Sequence, residues 1–336
     1  MKRILLAHRN QADATAFLRS MGPFTHSSLK DICQILTPPD NVQWVHDWTY
    51  FYEADVVYLH RPASVFDKFI IDKCLTLNIP LWVDMDDDLE NVTPDNPVFH
   101  VYNNPDVKDT IEYAIEHADV LTVGGIRHYE RIWNDKVKGR EDVILIANGV
   151  DDRLLHFKKP FTANRKVSWR GSESHRTDLL FFNETISRVM GERRNYDWAY
   201  FGFNPFWLSF NDLKYSWLKT VNLHDYYREL TARNASIHYV PLVDTEFNRV
   251  KSNLSWLDAT LAGSACLCPD FEEFRHPGIF LYNAKIEKDF YREFDGMFNK
   301  GNDVLEKYHN TSWDWIRDNV LVSKLNKKRR EILLNL

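Results

Sequence analysis

At 336 residues the chain is too long for one ordinary core, and at about 100–200 residues per domain it divides into two. A hydrophobic content of 44% with 14% aromatics, against 12 Gly and 13 Pro, excludes a disordered or fibrous protein. A formal net charge of −6 excludes a generally basic surface that would coat nucleic acid, while leaving room for a local basic patch.

Short apolar runs alternate with helical stretches through the first half. Ile4 to Ala7, Ala54 to Leu59, Ile79 to Val83, Ala118 to Val123 and Val143 to Ala147 are predicted strands. Val65 to Leu77 and Val107 to His117, between them, carry apolar residues at helical spacing. That alternation predicts a parallel sheet covered on both faces, with functional residues at the carboxyl ends of its strands. The opening apolar run stops at His8 and Arg9, too early for a signal-peptide core, and nowhere do about 18 apolar residues run together. Four cysteines, Cys33, Cys74, Cys266 and Cys268, lack zinc-ribbon or disulfide spacing and predict a reducing compartment. A cytoplasmic protein is expected.

Asp84-Met85-Asp86-Asp87-Asp88 directly follows the third run. Crowded carboxylates must be solvated, protonated or paired, so a shifted pKa is expected of at least one. The cluster admits three readings: an acid/base or acceptor contact, a turn that caps the next helix, or a magnesium site of hard oxygen ligands. After the fifth run, Asn148-Gly149 marks a tight turn at the exit from the first domain. The polar, basic stretch 152–165, with Pro160, reads as an interdomain connection.

Val167 opens a second alternation. Arg170-Gly171-Ser172-Glu173-Ser174-His175 precedes a helical run from Thr177 to Val189. Gly and Ser at a strand-to-helix turn bring backbone N–H groups to an anion, with Arg170 and His175 as cationic supplements. Trp198 to Phe203 is a predicted strand, and the aromatic stretch from Asn204 to Trp217 suits core packing or stacking on a base or sugar. Asp225 to Leu230 begins a short helix.

The run from Ile237 to Cys268 then reads as a buried strand, a loop carrying Phe247 and Asn248, a helix opening near Lys251 and Ser252, and another strand after Gly263. A helix start with a cation and a hydroxyl is an anion cradle, and Asp258, about two turns on, shares that side of the helix. Together they would grip a ribose and a diphosphate; singly they read as solvated charges. Cys266 and Cys268 alternate in an apolar run, which favours packing on one strand face over metal binding. Phe280 to Asn283 is the last predicted strand. In the terminal helices from Trp313 to Leu336, Trp313, Trp315 and Ile316 are expected to dock. Lys324, Lys327, Lys328, Arg329 and Arg330 form a basic face, either solvated or in contact with a polyanionic acceptor.

An ordered set of short motifs carries a resemblance. It comprises Ala54-Asp55-Val56-Val57 with Arg61-Pro62, Asp84 through Leu89, Ala118 through Val123, and Asn148-Gly149-Val150-Asp151. It continues with Gly171-Ser172 and His175, and ends with Phe247-Asn248, Lys251-Ser252, Asp258-Ala259 and Gly263. The chain resembles the GT-B glycosyltransferases, specifically the family 4 group of nucleotide-sugar-dependent enzymes and relatives found in bacteria and phages. The resemblance implies an α/β architecture of two doubly wound Rossmann-like domains whose parallel sheets face each other across a cleft. An acceptor-binding domain would span 1–155 and a nucleotide-sugar domain 156–310, with helices 311–336 packing back toward the first domain. The donor would be a nucleotide-diphosphate sugar, held without metal or tightly bound cofactor by Arg170, Gly171, Ser172, His175, Pro241, Phe247, Asn248, Lys251, Ser252 and Asp258. Asp258 takes the second acidic position of the family's Glu, seven residues, Glu pattern, while the first position is Val250, with Asn248 or Lys251 as substitutes.

On the acceptor side the resemblance implies Arg61, Asp87 and Asp88, with Asp84 and Asp86 orienting or deprotonating the acceptor hydroxyl where many relatives carry a His. Retention of anomeric configuration is implied. Fixed donors aimed at the departing diphosphate would stabilise the charge that develops there. Closure about 152–165 would exclude water. The acceptor stays open between a glycan, a lipid-linked glycan and a hydroxymethylated base in phage DNA. Two other classes share this architecture: a catalytically silent nucleotide-sugar-binding module and a nucleotide-sugar epimerase.

Overall fold

The computed structural model describes residues 1–7, 14–39, 42–136 and 143–336; His8 and Arg9 lie outside them. Among the described residues, twelve strands form two six-stranded sheets. The first holds β1 (Lys2–Leu6), β2 (Cys33–Leu36), β3 (Val56–His60), β4 (Leu81–Met85), β5 (Val120–Val123) and β6 (Val143–Leu145), in the order β2-β1-β3-β4-β5-β6. The second holds β7 (Lys166–Gly171), β8 (Asp197–Gly202), β9 (Ser216–Leu218), β10 (Ile237–Tyr239), β11 (Ala265–Pro269) and β12 (Ile279–Tyr282), in the order β12-β11-β10-β7-β8-β9. Every ladder is parallel. Both orders reverse beside their first strand, between β1 and β3 and between β7 and β10. The carboxyl ends of strands at such a reversal leave a crevice for ligands.

The crossovers follow from local sequence. Helix α1 (Val65–Leu77) starts where Asp67 accepts from the Ala63 amide at 2.9 Å and the Ser64 hydroxyl at 2.8 Å. It stops at Asn78, whose left-handed backbone turns its amide onto the Cys74 and Leu75 carbonyls. Its buried Ile70, Ile71 and Cys74 lie on one face, against the sheet. Helix α2 (Pro105–His117) is entered through Asn104, which accepts from the Asp106 amide at 3.0 Å, with Pro at its first position.

Several expectations shift. The edge strands β2 and β9 were not foreseen; β9 lies inside the aromatic stretch, where Trp217 donates Nε1–H to the Gly202 carbonyl at 3.0 Å. The run expected as one helix over Thr177 to Val189 is broken at Phe182 into Arg176–Phe181 and Asn183–Glu192. Asn148-Gly149 is not a tight turn but an extended crossing. A Cβ on Gly149 would lie 2.4 Å from the Val320 carbonyl oxygen, and the next residue, Val150, bridges to Leu321.

That crossing matters for the last two helices, α5 (Asn302–Asn319) and α6 (Val322–Asn335). Helix α5 covers the second sheet, with Trp315 stacked on His276 at 3.9 Å and the Trp256 indole donating to Ser312 at 3.2 Å. Helix α6 crosses to the first sheet, and Ile332 and Leu333 enter one core with Ile4, Leu6, Val56, Tyr58 and Trp82. The basic face is therefore only partly solvated: Lys324 and Lys327 are exposed, and the other three residues are engaged within the chain. Arg329 is buried, Lys328 donates to the Leu145 carbonyl at 2.9 Å, and Arg330 pairs with Asp31. Cys266 and Cys268 are buried in β11, and among the described residues no three His, Cys, Asp or Glu side chains group as metal ligands.

Candidate active site

Two cavities meet at the carboxyl ends of β7 and β10. One, of about 400 Å³, lies between the two sheets and is walled by Arg61, Asp87, Leu89, Val92, Asn96, Val98 and Tyr102 from the first half. From the second half come Arg170, Ser172, His175, Pro241, Phe247, Lys251, Ser252 and Leu254. The other, of about 480 Å³, is more apolar and is lined by Phe201, Gly202, Val221, Leu223, Tyr226, Tyr227 and Asp258. Arg170, Ser172 and Leu254 line both.

Arg170 ends β7 with its side chain largely buried. Its Nη2 lies 2.8 Å from Asp258 Oδ2, at an angle too poor for a hydrogen bond, and neither Nη2 nor Nε donates to any described group. Asp258, in turn, accepts from the Tyr226 hydroxyl at 2.7 Å. Burial pushes the Asp258 carboxyl above its ordinary value, with Arg170 and Tyr226 pulling the other way. Burial also works against the Arg170 charge, but Asp258 outweighs it and the guanidinium is held above its ordinary value. The result is a fixed cation, held by Asp258, at the junction of the cavities. The approach is close because Gly171 and Gly202 sit side by side: a Cβ on Gly202, at φ +105°, would fall 2.2 Å from the Gly171 oxygen.

The helix expected to open at Lys251 opens later. Phe247 and Asn248 lie on a short helix, Glu246–Arg249, and α4 (Leu254–Leu261) follows after Asn253, so Lys251 and Ser252 stand in the turn ahead of it. Lys251 and Asp258 therefore do not share a helix face; the two line different cavities. The α4 N-terminus has no side-chain cap, because the Asn253 amide side chain is turned to the Glu273 carbonyl at 2.9 Å. Its first residues, Leu254 and Ser255, line the cavity, where open N–H groups favour an anion.

Lys251 Nζ rests 3.4 Å from His175 Nδ1 and 4.8 Å above the Phe247 ring. Burial lowers the Lys251 pKa against the pull of Asp178, Asp87 and Asp95, and burial with Lys251 lowers that of His175. Asn248 does not line the cavity. Its amide donates to Asp178 at 2.8 Å and to the Val243 carbonyl at 2.9 Å, which fixes the turn carrying Phe247 and Lys251.

The aspartates are where the structure departs most from the sequence reading. β4 runs through Met85, so Asp84 lies within the sheet, 1% exposed. Both its oxygens are taken by Arg19, at 2.9 and 2.6 Å, and Thr122 donates to one of them at 2.5 Å. Asp86 is likewise enclosed: His60 Nε2 stands 2.8 Å from its Oδ1, and Arg61 grips both oxygens at 2.5 and 3.0 Å. Asp88 is buried against Arg131 at 3.0 Å and Asn91 at 2.7 Å. Neither Asp84, Asp86 nor Asp88 faces the cavity; only Asp87 of the cluster does, paired with Arg61.

Asp84 and Asp86, expected to orient or deprotonate the acceptor hydroxyl, are turned into buried ion pairs and away from the cavity, and their pKa shift goes downward. Burial pushes both carboxyls up, but Arg19 outweighs it for Asp84, and Arg61 with His60 holds Asp86 well below the carboxylate range. Arg61 itself has φ 49°, a left-handed backbone that costs a non-glycine residue about 1–2 kcal/mol. Its amide donates to the Asp84 carbonyl at 3.0 Å, and its guanidinium is locked on Asp86 and Asp87.

Sequence reasoning missed Arg19, His60, Tyr226 and Glu273. His60 directly follows the predicted strand Ala54 to Leu59 and ends the observed one, immediately before Arg61, and had that positional signal. Arg19 had none.

No family model matches the chain, and no curated protein matches it in sequence. Solved structures do match. HepE of Anabaena, in complex with UDP-glucose, is similar with a TM-score of 0.71 over 100% of both chains at 12% identity. The fold is GT-B.

Two further GT-B structures are similar over nearly the whole chain. A glycosyltransferase from Rickettsia africae has a TM-score of 0.68 at 10% identity, with 99% of this chain and 97% of that one covered. An α-glucosyltransferase in complex with UDP and a 13-mer DNA containing an HMU base has a TM-score of 0.68 at 9% identity, covering 99% and 98%. The GT-B frame accounts for the cleft between two parallel sheets and for α6 returning to the first of them. At such low identity, what the chain binds has to be argued from its own residues.

Proposed function

We propose that this chain is a nucleotide-sugar-dependent glycosyltransferase of the family 4 type, with the donor held by residues 156–310 and the acceptor presented by residues 1–155. The observation that carries the reading is Arg170. A buried guanidinium, paired with Asp258, stands where two cavities join, beside the uncapped start of α4.

The nucleoside occupies the more apolar cavity, with Asp258 accepting from the ribose hydroxyls and the base against Phe201 and Tyr226. The diphosphate lies over Arg170, Ser172, Lys251 and the first turn of α4. The sugar then projects into the cavity between the sheets, facing Asp87 and Arg61.

In the reaction, the bond from the anomeric carbon to the diphosphate oxygen breaks as the acceptor oxygen bonds to that carbon. Asp87 is tied to Arg61, so it orients the acceptor hydroxyl, and the hydroxyl proton passes to the departing diphosphate. Fixed donors at Arg170 and Lys251 stabilise the charge on that leaving group. Proton transfer to a leaving group on the attacked face accords with retention.

The test is thermal stabilisation by the common nucleoside diphosphates and their sugars, since a ligand that binds only the folded chain raises its stability by RT ln(1 + [L]/Kd). One nucleotide should raise the melting temperature, and Lys251→Ala and Arg170→Ala should each abolish most of that rise. Stabilisation by none of them, or unchanged binding in both variants, overturns the reading. Product analysis separates the rivals: transfer to an acceptor, conversion of the donor sugar without acceptor, or binding with neither.

A further inference from the structure

The first half of the chain is strongly acidic. Residues 1–150 hold 14 Lys and Arg against 23 Asp and Glu, a net charge of −9, whereas residues 151–336 hold 28 against 25, a net of +3. The side of the cleft proposed to present the acceptor therefore carries the negative charge. Among the described residues its one cation in the cavity wall is Arg61, which is bound to two carboxylates, Asp86 and Asp87. Of the five basic residues of α6 only Lys324 and Lys327 are exposed and outside any described bond, too few for a phosphate track: Arg329 is buried, Arg330 pairs with Asp31 and Lys328 is bonded to a backbone carbonyl. A phosphodiester polymer is bound chiefly by Lys and Arg neutralising its phosphates, and a surface of the opposite sign repels it.

The same wall is apolar where it is not acidic. Leu89, Val92, Val98 and Tyr102 line the cavity from the first half. At the rim, Val98 is 40% and Val101 55% exposed, so the apolar strip continues outward past the point where a hydroxyl would meet the sugar. Asn96 and Asp87 stand within this strip as the groups able to orient one hydroxyl.

We infer that the acceptor is an uncharged hydroxyl compound with an apolar group beside its reacting hydroxyl, such as an alkyl- or aryl-bearing glycoside, and not a nucleic acid or a phosphorylated sugar. The inference rests on the glycosyltransferase reading above. The hydroxyl sits at Asp87 and Asn96, and the apolar group lies along Leu89, Val92, Val98 and Tyr102, where its removal from water supplies about 25 cal/mol per Å².

The experiment uses the full chain with the nucleotide sugar found by thermal stabilisation. Transfer is measured to methyl glucoside, octyl glucoside, nitrophenyl glucoside, glucose 6-phosphate, and duplex DNA containing hydroxymethyl pyrimidines at low salt. Octyl and nitrophenyl glucosides should show a KM at least tenfold below that of methyl glucoside, with no transfer to DNA or glucose 6-phosphate. Val98→Asp should raise the KM for octyl glucoside at least tenfold without changing donor affinity measured by calorimetry, and Val98→Leu should restore it. Equal KM values for methyl and octyl glucoside, preferred transfer to DNA, or a bound donor with no transfer to any apolar glycoside overturns the inference and leaves the donor site standing. Absence of any nucleotide binding overturns the glycosyltransferase reading itself.

Discussion

Arg170 Nη2 stands 2.8 Å from Asp258 Oδ2, and this buried pair forms the partition between the two cavities of the cleft. The two partners have unequal freedom to be lost. Arg170→Ala leaves a carboxylate buried without a cation, a change that costs about 3–5 kcal/mol when nothing else compensates. Urea unfolding should show Arg170→Ala less stable than the parent, with Arg170→Ala/Asp258→Asn regaining more than about 1 kcal/mol of the loss, as coupled neighbours do. Both single variants should bind nucleotide at least tenfold more weakly in calorimetry, and parent-like binding in Arg170→Ala would remove this residue from the donor site.

Acid should weaken the first half through Asp84 and Asp86. Their folded-state pKa values are depressed, so the stability they contribute is present above the ordinary aspartate value of about 4 and is lost as pH falls through it toward the folded-state values. Unfolding midpoints at pH 7, 5 and 3.5 should drop most between the last two. Asp84→Asn should flatten that drop while destabilising the protein at pH 7 by about 3 kcal/mol, because Arg19 is left buried and uncompensated.

Glu273 should act in the opposite direction. It is buried against the start of α3 (Ile126–Arg131), where it accepts from the Ile126 amide and, at 3.3 Å, the Arg127 amide. Burial lifts its pKa from 4.5 to about 7 despite those bonds. Between these values the unfolded chain has released the proton and the folded chain keeps it, so stability falls as pH rises from about 4.5 to 7, by on the order of 3 kcal/mol. Glu273→Gln keeps the acceptor oxygen and should erase that slope in a pH series of unfolding curves; an unchanged slope would show that Glu273 is ionised throughout.

Asp87 and Asp86 should separate by kinetics. Asp87→Asn should leave nucleotide affinity intact and lower turnover with acceptor ten- to a hundredfold, as expected when an orienting group is lost. Asp86→Asn, acting through Arg61 and His60, should lower turnover and also reduce stability, whereas Asp87→Asn should leave stability unchanged. A parent-like turnover in Asp87→Asn would rule it out as the group that orients the acceptor.

The parallel sheets and most strands were legible because parallel strands buried on both faces read as continuous apolar runs, as at Val56 to Leu59 and Leu81 to Val83. Edge strands β2 and β9 were not, since each is short and half exposed and so lacks that signal. The strand-to-helix turn at Arg170, which lines both cavities, was readable from its glycine and serine. The aspartate run misled for a different reason. Asp84 and Asp86 alternate with Val83 and Met85 along the strand, and a sequence shows carboxylates without showing the arginines, Arg19 and Arg61, that fold onto them. Likewise, the seven-residue spacing of Lys251 and Asp258 suggested one helix face, but a helix start three residues later placed them in separate cavities.

The return of α6 to the first sheet sets a rule for recombination. Ile332 and Leu333 complete the core around Ile4, Val56 and Trp82, and Asn326 is bonded to the Pro23 carbonyl at 2.9 Å. A chimera that exchanges the first half by cutting only near residue 155 would pair a foreign sheet with this helix and leave a mismatched face. An exchange that carries 320–336 along with 1–155 keeps that core intact, so the exchangeable unit built on the first sheet is discontinuous in the chain.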